Sequence, residues 1–405
     1  MGATAAGLER LSEDYLQNPH VVHDRLREQG PVVELVLPHG IRTWLVSRYD
    51  EARAALADPR LSKDLKGNPM IFAKHLVDDR EPREFNSALL GHMLNSDPPE
   101  HTRLRKLVTK AFTARRMELM RPRIEELTAR LLDEMAEHDE VDLLDSFAFP
   151  LPITVICEIM AVPLDDRDEF RAWSNALVTT VKPEAAEAAA HAMAAYLSAM
   201  IDDKRANPGE DMFSALVHAD EEGDALDQVE LISMAFLLLL AGHETTVNLI
   251  GNGVLNLLRH PDQLAALRAD PTLIKGAVEE FLRYEGPVNQ ATVRFTSEPV
   301  TIGDVTIPAE ELVLVSLLSA NRDADRFADP ERFDITRPPG GHLAFGHGIH
   351  FCLGAPLARL EGEIAVNALL KRFPDLALAA EPEELQWRSS TLLRGLFSLP
   401  VRLHS

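Results

Sequence analysis

Apolar positions recur at helical spacing over most of the chain. Between 114 and 135 they fall three and four apart amid charges, which predicts an amphipathic helix. The stretch 184–204 is rich in alanine, the best helix former, and predicts another. From 227 to 258 the pattern predicts a long helix, apolar almost all round in its first half. Such a helix is normally buried at the centre of a large protein. Further helices are expected over 272–284 and 355–373. Alternation with period two is rarer. It marks 32–37 and 43–47 around a turn at 38–40, and 300–302 and 305–307 around Gly303-Asp304, a hairpin signal. A last strand is expected within 396–403. The turn-rich clusters at 95–99 and 336–341 are loop-length, and neither a Gly/Ser linker nor an internal repeat divides the chain. The expectation is a mainly α fold, a helical body with small β-sheets near its edges, with 1–405 as one domain.

Composition narrows the classes. At 46% hydrophobic and 26% charged residues, intrinsic disorder is excluded as the main state. A net charge of −23 argues against nucleic acid or an anionic membrane as a partner of the general surface. Two cysteines, Cys157 and Cys352, cannot build a disulfide scaffold or an iron–sulfur cluster needing four thiolates from this chain. The longest apolar run, 231–241, is short for a bilayer span, and Glu9, Arg10, Glu13 and Asp14 interrupt any signal-like start. A soluble, cytoplasmic, monomeric chain is the expectation.

The stretch 345–358 reads FGHGIHFCLGAPLA. Cys352 lies among glycines 346, 348 and 354, which allow tight turns and close approach to a bulky group. A helix should begin just after it, with Pro356 in the first turn. Free N–H groups at a helix start stabilise a thiolate. Three readings stay open on residue types: a buried structural cysteine, zinc with His347 and His350, and a thiolate ligand of haem iron. Cys157, inside the apolar run 155–160, reads as a packing residue.

Other polar groups stand out. Ala241-Gly242-His243-Glu244-Thr245 follows directly on the apolar run of the long helix. It is either a helix bent by Gly242 and by Thr245 bonding back to a carbonyl, or a functional acid–alcohol pair. Glu280 and Arg283 lie three apart on one helix face, and His101 and Arg105 four apart on another, each either a solvated surface pair or, for His101 and Arg105, a grip on one anion. Arg103, Lys106, Lys110, Arg115 and Arg116 form a basic run that is either a solvated helix surface or a docking face for an acidic protein.

Phe345, Gly348, His350, Cys352, Gly354 and Ala358 match the haem-binding signature of the cytochrome P-450 superfamily, and the chain resembles that superfamily from end to end. The resemblance implies the cytochrome P-450 fold and a haem-thiolate monooxygenase. Cys352 would be the axial ligand of haem b, with Phe345 tempering the thiolate and Gly346 and Gly354 lining the loop. His101, Arg105, Arg294 and His350 would meet the haem propionates. Ala241 and Gly242 would open an oxygen groove beside a Glu244–Thr245 proton relay, where aspartate is the more usual acid. Glu280, Arg283 and Arg332 would form a buried network holding the cysteine loop. Substrate-pocket candidates are Leu94, Leu177, Val178, Leu237, Ala241, Val288, Ala291 and Leu392. Electrons would come from NAD(P)H through a reductase and a ferredoxin docked on the basic run, with O2 as co-substrate. The match is nearest to actinobacterial macrolide- and polyketide-tailoring hydroxylases. A steroid, terpenoid or vitamin D-like substrate, a peroxide-driven haem enzyme and a non-catalytic haem sensor or carrier remain the alternatives.

Overall fold

The structure, a computed structural model, describes residues 7–68, 70–77, 89–178, 183–221 and 224–404. Five helices position the site: α1 (Glu100–Ala111), α2 (Pro150–Ile159), α3 (Gln228–Arg259), α4 (Ile274–Glu285) and α5 (Ala355–Arg372). The long helix α3 starts on a capping box in which Asp227 and Glu230 satisfy each other's backbone N–H. By length and composition α3 could cross a membrane, yet most of it is buried by α2, α4, α5 and Pro183–Ala206. It is the axis of the main apolar core. Glycines let its neighbours come close. A Cβ at Gly242 would stand 2.8 Å from Ile156 of α2, and one at Gly253 would stand 2.5 Å from the Phe281 ring of α4.

The helix expected over 114–135 is two helices, Ala114–Leu119 and Arg121–Met135. Pro122 enters the second in its first turn, where its missing N–H costs nothing, and the chain turns at Met120. The expected strands at 32–37 and 43–47 appear as Val32–Val36 and Arg42–Val46, antiparallel neighbours within a six-stranded sheet. Leu312–Val315 and Arg294–Thr296 extend that sheet beside the cavity. The hairpin Val300–Ile302/Val305–Ile307 turns on Gly303 at φ +60. Pro400–Arg402 is the tail strand, paired with Ala377–Leu378 and Glu140–Asp142. Cys157 is buried in α2, and burial pushes its thiol up to about 12, as a packing residue requires.

Candidate active site

The loop that carries Cys352 is shaped by its glycines. Gly346 and Gly348 have φ of +73 and +75, a region side chains resist, and a Cβ on Gly348 would meet Ala57 and the Leu56 carbonyl at 3.1 Å. The Cys352 N–H donates to the Phe345 carbonyl at 2.9 Å, which closes the loop. Helix α5 begins at Ala355, and the N–H groups of Gly354 and Ala355 point at the sulfur. Burial raises the thiol, while those N–H groups and the Arg105 and Arg359 charges favour its thiolate.

Cys352 faces a cavity of about 1400 Å³, its open mouth included. Across from it stand Ala241, Gly242, Thr245 and Thr246 of α3. The Thr245 hydroxyl donates to the Ala241 carbonyl at 2.8 Å. Glu244 points elsewhere. Its carboxylate accepts from Arg388 Nη1 at 3.0 Å and lies 3.5 Å from His243 Nε2, almost fully buried. Burial opposes its charge, but His243 and Arg388 outweigh burial and hold the carboxyl below its ordinary value. Arg388, far along the chain in a loop without a motif, left no signal in the sequence.

A cluster of basic side chains lines the same cavity. His101, Arg105, Arg294 and His350 line it. The rings of His101 and His350 lie 4.3 Å apart, and Arg105 Nη2 donates to the Phe351 carbonyl at 2.8 Å. Burial, then Lys63, His101, Arg294 and Arg105, push His350 down to about 2. Burial likewise lowers Arg294 to about 10. Lys63, missed from sequence, is buried beside this group with its ammonium on the Thr292 hydroxyl, and burial and Arg294 depress it. Both ring nitrogens of His101 are buried without a hydrogen-bond partner. Buried arginines beside histidine rings with unpartnered nitrogens call for an anionic, hydrogen-bonding guest. A flat apolar cofactor bearing two carboxylates, with a metal facing the sulfur, would meet both the thiol and the basic cluster; haem fits this donor set. The zinc reading lacks a ligand set, since no group of three His, Cys, Asp or Glu among the described residues could hold a metal ion.

The polar frame departs from expectation in one member. Glu280 takes Arg283 in two hydrogen bonds of 2.8 Å, and Arg283 also donates to the carbonyls of Asn321, Pro330 and Arg332. The Arg332 guanidinium itself is 64% exposed, 3.8 Å from Asp334. The turn that aims its carbonyl inward sends its side chain out. Arg337 stands at Glu280 instead, 3.4 Å away.

Of the pocket candidates, Leu94, Leu237, Ala241, Val288 and Ala291 line the cavity, together with Phe345, Gly346 and Gly354. Leu177 instead packs half-buried on the helical core. Leu392 is 39% exposed and contributes only its carbonyl, to the Asn289 N–H. The side chain of Val178 lies outside the described residues. In the basic run Arg103 is bound by Glu100, Asp224 and Glu230. Lys106, Lys110, Arg115 and Arg116 are exposed.

A family model described as cytochrome P-450 matches residues 170–384. The chain is 57% identical to cytochrome P-450 107B1 of Saccharopolyspora erythraea, covering 97% of this chain and 96% of that one. It is 44% identical to the polyketide biosynthesis cytochrome P-450 PksS of Bacillus subtilis, over 96% and 97% of the two chains. Among solved structures, the tirandamycin C-bound monooxygenase TamI superposes with a TM-score of 0.91 at 52% identity, over 98% of this chain and 100% of that one.

Proposed function

The chain belongs to the cytochrome P-450 family of haem-thiolate monooxygenases, and from that premise we propose that it hydroxylates a large lipophilic polyketide. The observation that carries the reading is the cavity itself. It presents a thiol and a cluster of basic side chains, and the wall between Leu94, Leu237, Val288 and Ala291 is apolar. Relatives acting in polyketide biosynthesis support the substrate class.

Cys352 would hold the haem iron, and His101, Arg105, Arg294 and His350 the propionates. Haem, when bound, supplies the activation of dioxygen and the insertion of one oxygen atom into a C–H bond. The chain does the rest. The apolar wall excludes water and orients the substrate by shape. The Thr245 hydroxyl, parked on the Ala241 carbonyl one turn below, is a proton donor that needs only to rotate toward the cavity. Glu244 is the acid that resupplies it from the Arg388 side, so its ion pair must open for the proton to pass. Glu280 with Arg283 and Arg337 holds the loop that leads to Cys352. Electrons come from NAD(P)H through a reductase and a ferredoxin. Lys106, Lys110, Arg115 and Arg116 are exposed and basic, a surface suited to an acidic partner. The enzyme works in the cytoplasm.

Titration of the haem-loaded enzyme with polyketide lactones and with sterols tests the substrate class. A spin-state shift on adding a lactone, followed by hydroxylated product with ferredoxin and reductase, supports the reading. A shift with sterols alone overturns it.

A further inference from the structure

Glu279 precedes Glu280 on α4 and serves a different cluster. Its carboxylate grips Arg359 of α5 at two points, Nε to Oε1 at 2.6 Å and Nη2 to Oε2 at 3.0 Å. It also takes His342 Nε2 at 3.1 Å. His342 Nδ1 accepts the Ala344 backbone N–H at 3.2 Å, so Nε2 carries the proton and donates to Glu279. The His342 ring is almost wholly buried. Burial opposes the charge of Glu279, yet His342 and Arg359 hold its carboxyl down to about 2, so it stays ionised.

These contacts fix where the Arg359 charge sits. The guanidinium lies 4.5 Å from the centroid of the Phe345 ring, and the His342 ring lies 6.0 Å from it. Phe345 is the residue whose carbonyl closes the Cys352 loop. A planar guanidinium held by a two-point carboxylate grip and stacked on an aromatic face has little freedom left. A fixed cation near a thiolate stabilises the negative charge on sulfur and weakens its donation to a metal. The Glu280 network does not use this cluster, although it starts one residue away.

We propose that Arg359, held on the Phe345 ring by Glu279 and His342, is a positioning residue that tempers electron donation from the Cys352 thiolate, and that Glu279 acts only through Arg359. The proposal rests on the haem-thiolate reading above.

The test is the reduction potential of haem-loaded variants, each paired with its reduced carbon monoxide spectrum. Arg359→Gln lowers the potential: at the wild-type midpoint the reduced-to-oxidised ratio falls roughly three- to tenfold, tenfold being about 59 mV for one electron. Glu279→Gln lowers it in the wild-type background, because the released guanidinium leaves the ring, and does not lower it further in the Arg359→Gln background. Arg359→Lys keeps the charge, loses the fork and falls between. If Arg359→Gln takes up no haem, Arg359→Lys and Glu279→Gln carry the test. The proposal is overturned by an unchanged potential in the Arg359 variants, by a rise in Glu279→Gln, or by an equal fall in both backgrounds. A wild-type enzyme without the thiolate carbon monoxide band would contradict the haem-thiolate reading instead.

Discussion

Single side chains divide into those with motifs and those without. Cys352, Glu280, Arg283 and the His101–Arg105 pair were legible because fixed spacing carries them. Lys63, Arg337 and Arg388 were not, because each reaches its partner from a loop by tertiary contact alone. The same burial that hides such groups makes them measurable. His92 stacks on Phe236 with its Nδ1 unpartnered, and burial, then Lys63, push it down to about 4. Its folded value lies below its unfolded one, so the unfolded chain takes up the proton first. Stability is therefore lost as pH falls from the ordinary histidine value toward 4, by up to ~3 kcal/mol at 1.36 kcal/mol per unit. Thermal melts between pH 7 and 4.5 should show this fall, and His92→Phe should reduce its slope. At Thr245, replacement by alanine removes the hydroxyl held on the Ala241 carbonyl beside the cavity while leaving the apolar wall intact. Substrate spin-shift titrations should be unchanged, and product formed per NAD(P)H consumed should drop, with the hydroxylation rate down on the order of 10²-fold.

Elements were read more securely than their ends. The long buried helix stood out because an apolar run all round has nowhere to go but the core. The break at Met120 escaped because the apolar spacing continues across it, and only Pro122 marks the new start. Pocket loops were the weakest reading. Leu177 and Leu392 are apolar and near the right segments, but a loop has no period from which to infer which way a side chain turns. Packing of α3 yields a prediction against simple propensity. Alanine at Gly253 should gain about 1 kcal/mol as a helix former. Its Cβ would meet Phe281, whose ring is stacked on Phe333 at 6.0 Å and cannot easily move. Overpacking costs typically about 1–3 kcal/mol and should win, so Gly253→Ala lowers the urea midpoint at an unchanged slope.

The proposed docking face is basic on a chain of net charge −23. A contrast of that kind guides an acidic partner to one orientation. Reduction by ferredoxin should slow as ionic strength rises, since exposed charges are screened within about 8 Å at 0.15 M. Arg115→Glu should raise the ferredoxin concentration needed for half-maximal rate and leave the rate at saturation unchanged, as stopped-flow reduction would show. The activity and electron-transfer predictions presuppose one arrangement, a thiolate from Cys352 facing an apolar cavity whose basic groups await two carboxylates. The absorption spectrum of the dithionite-reduced, haem-loaded protein under carbon monoxide tests it most directly. The far-red-shifted Soret band of a thiolate-bound haem is the predicted result. A band at the position of histidine-bound or neutral-thiol haem, or no haem uptake at all, would contradict it.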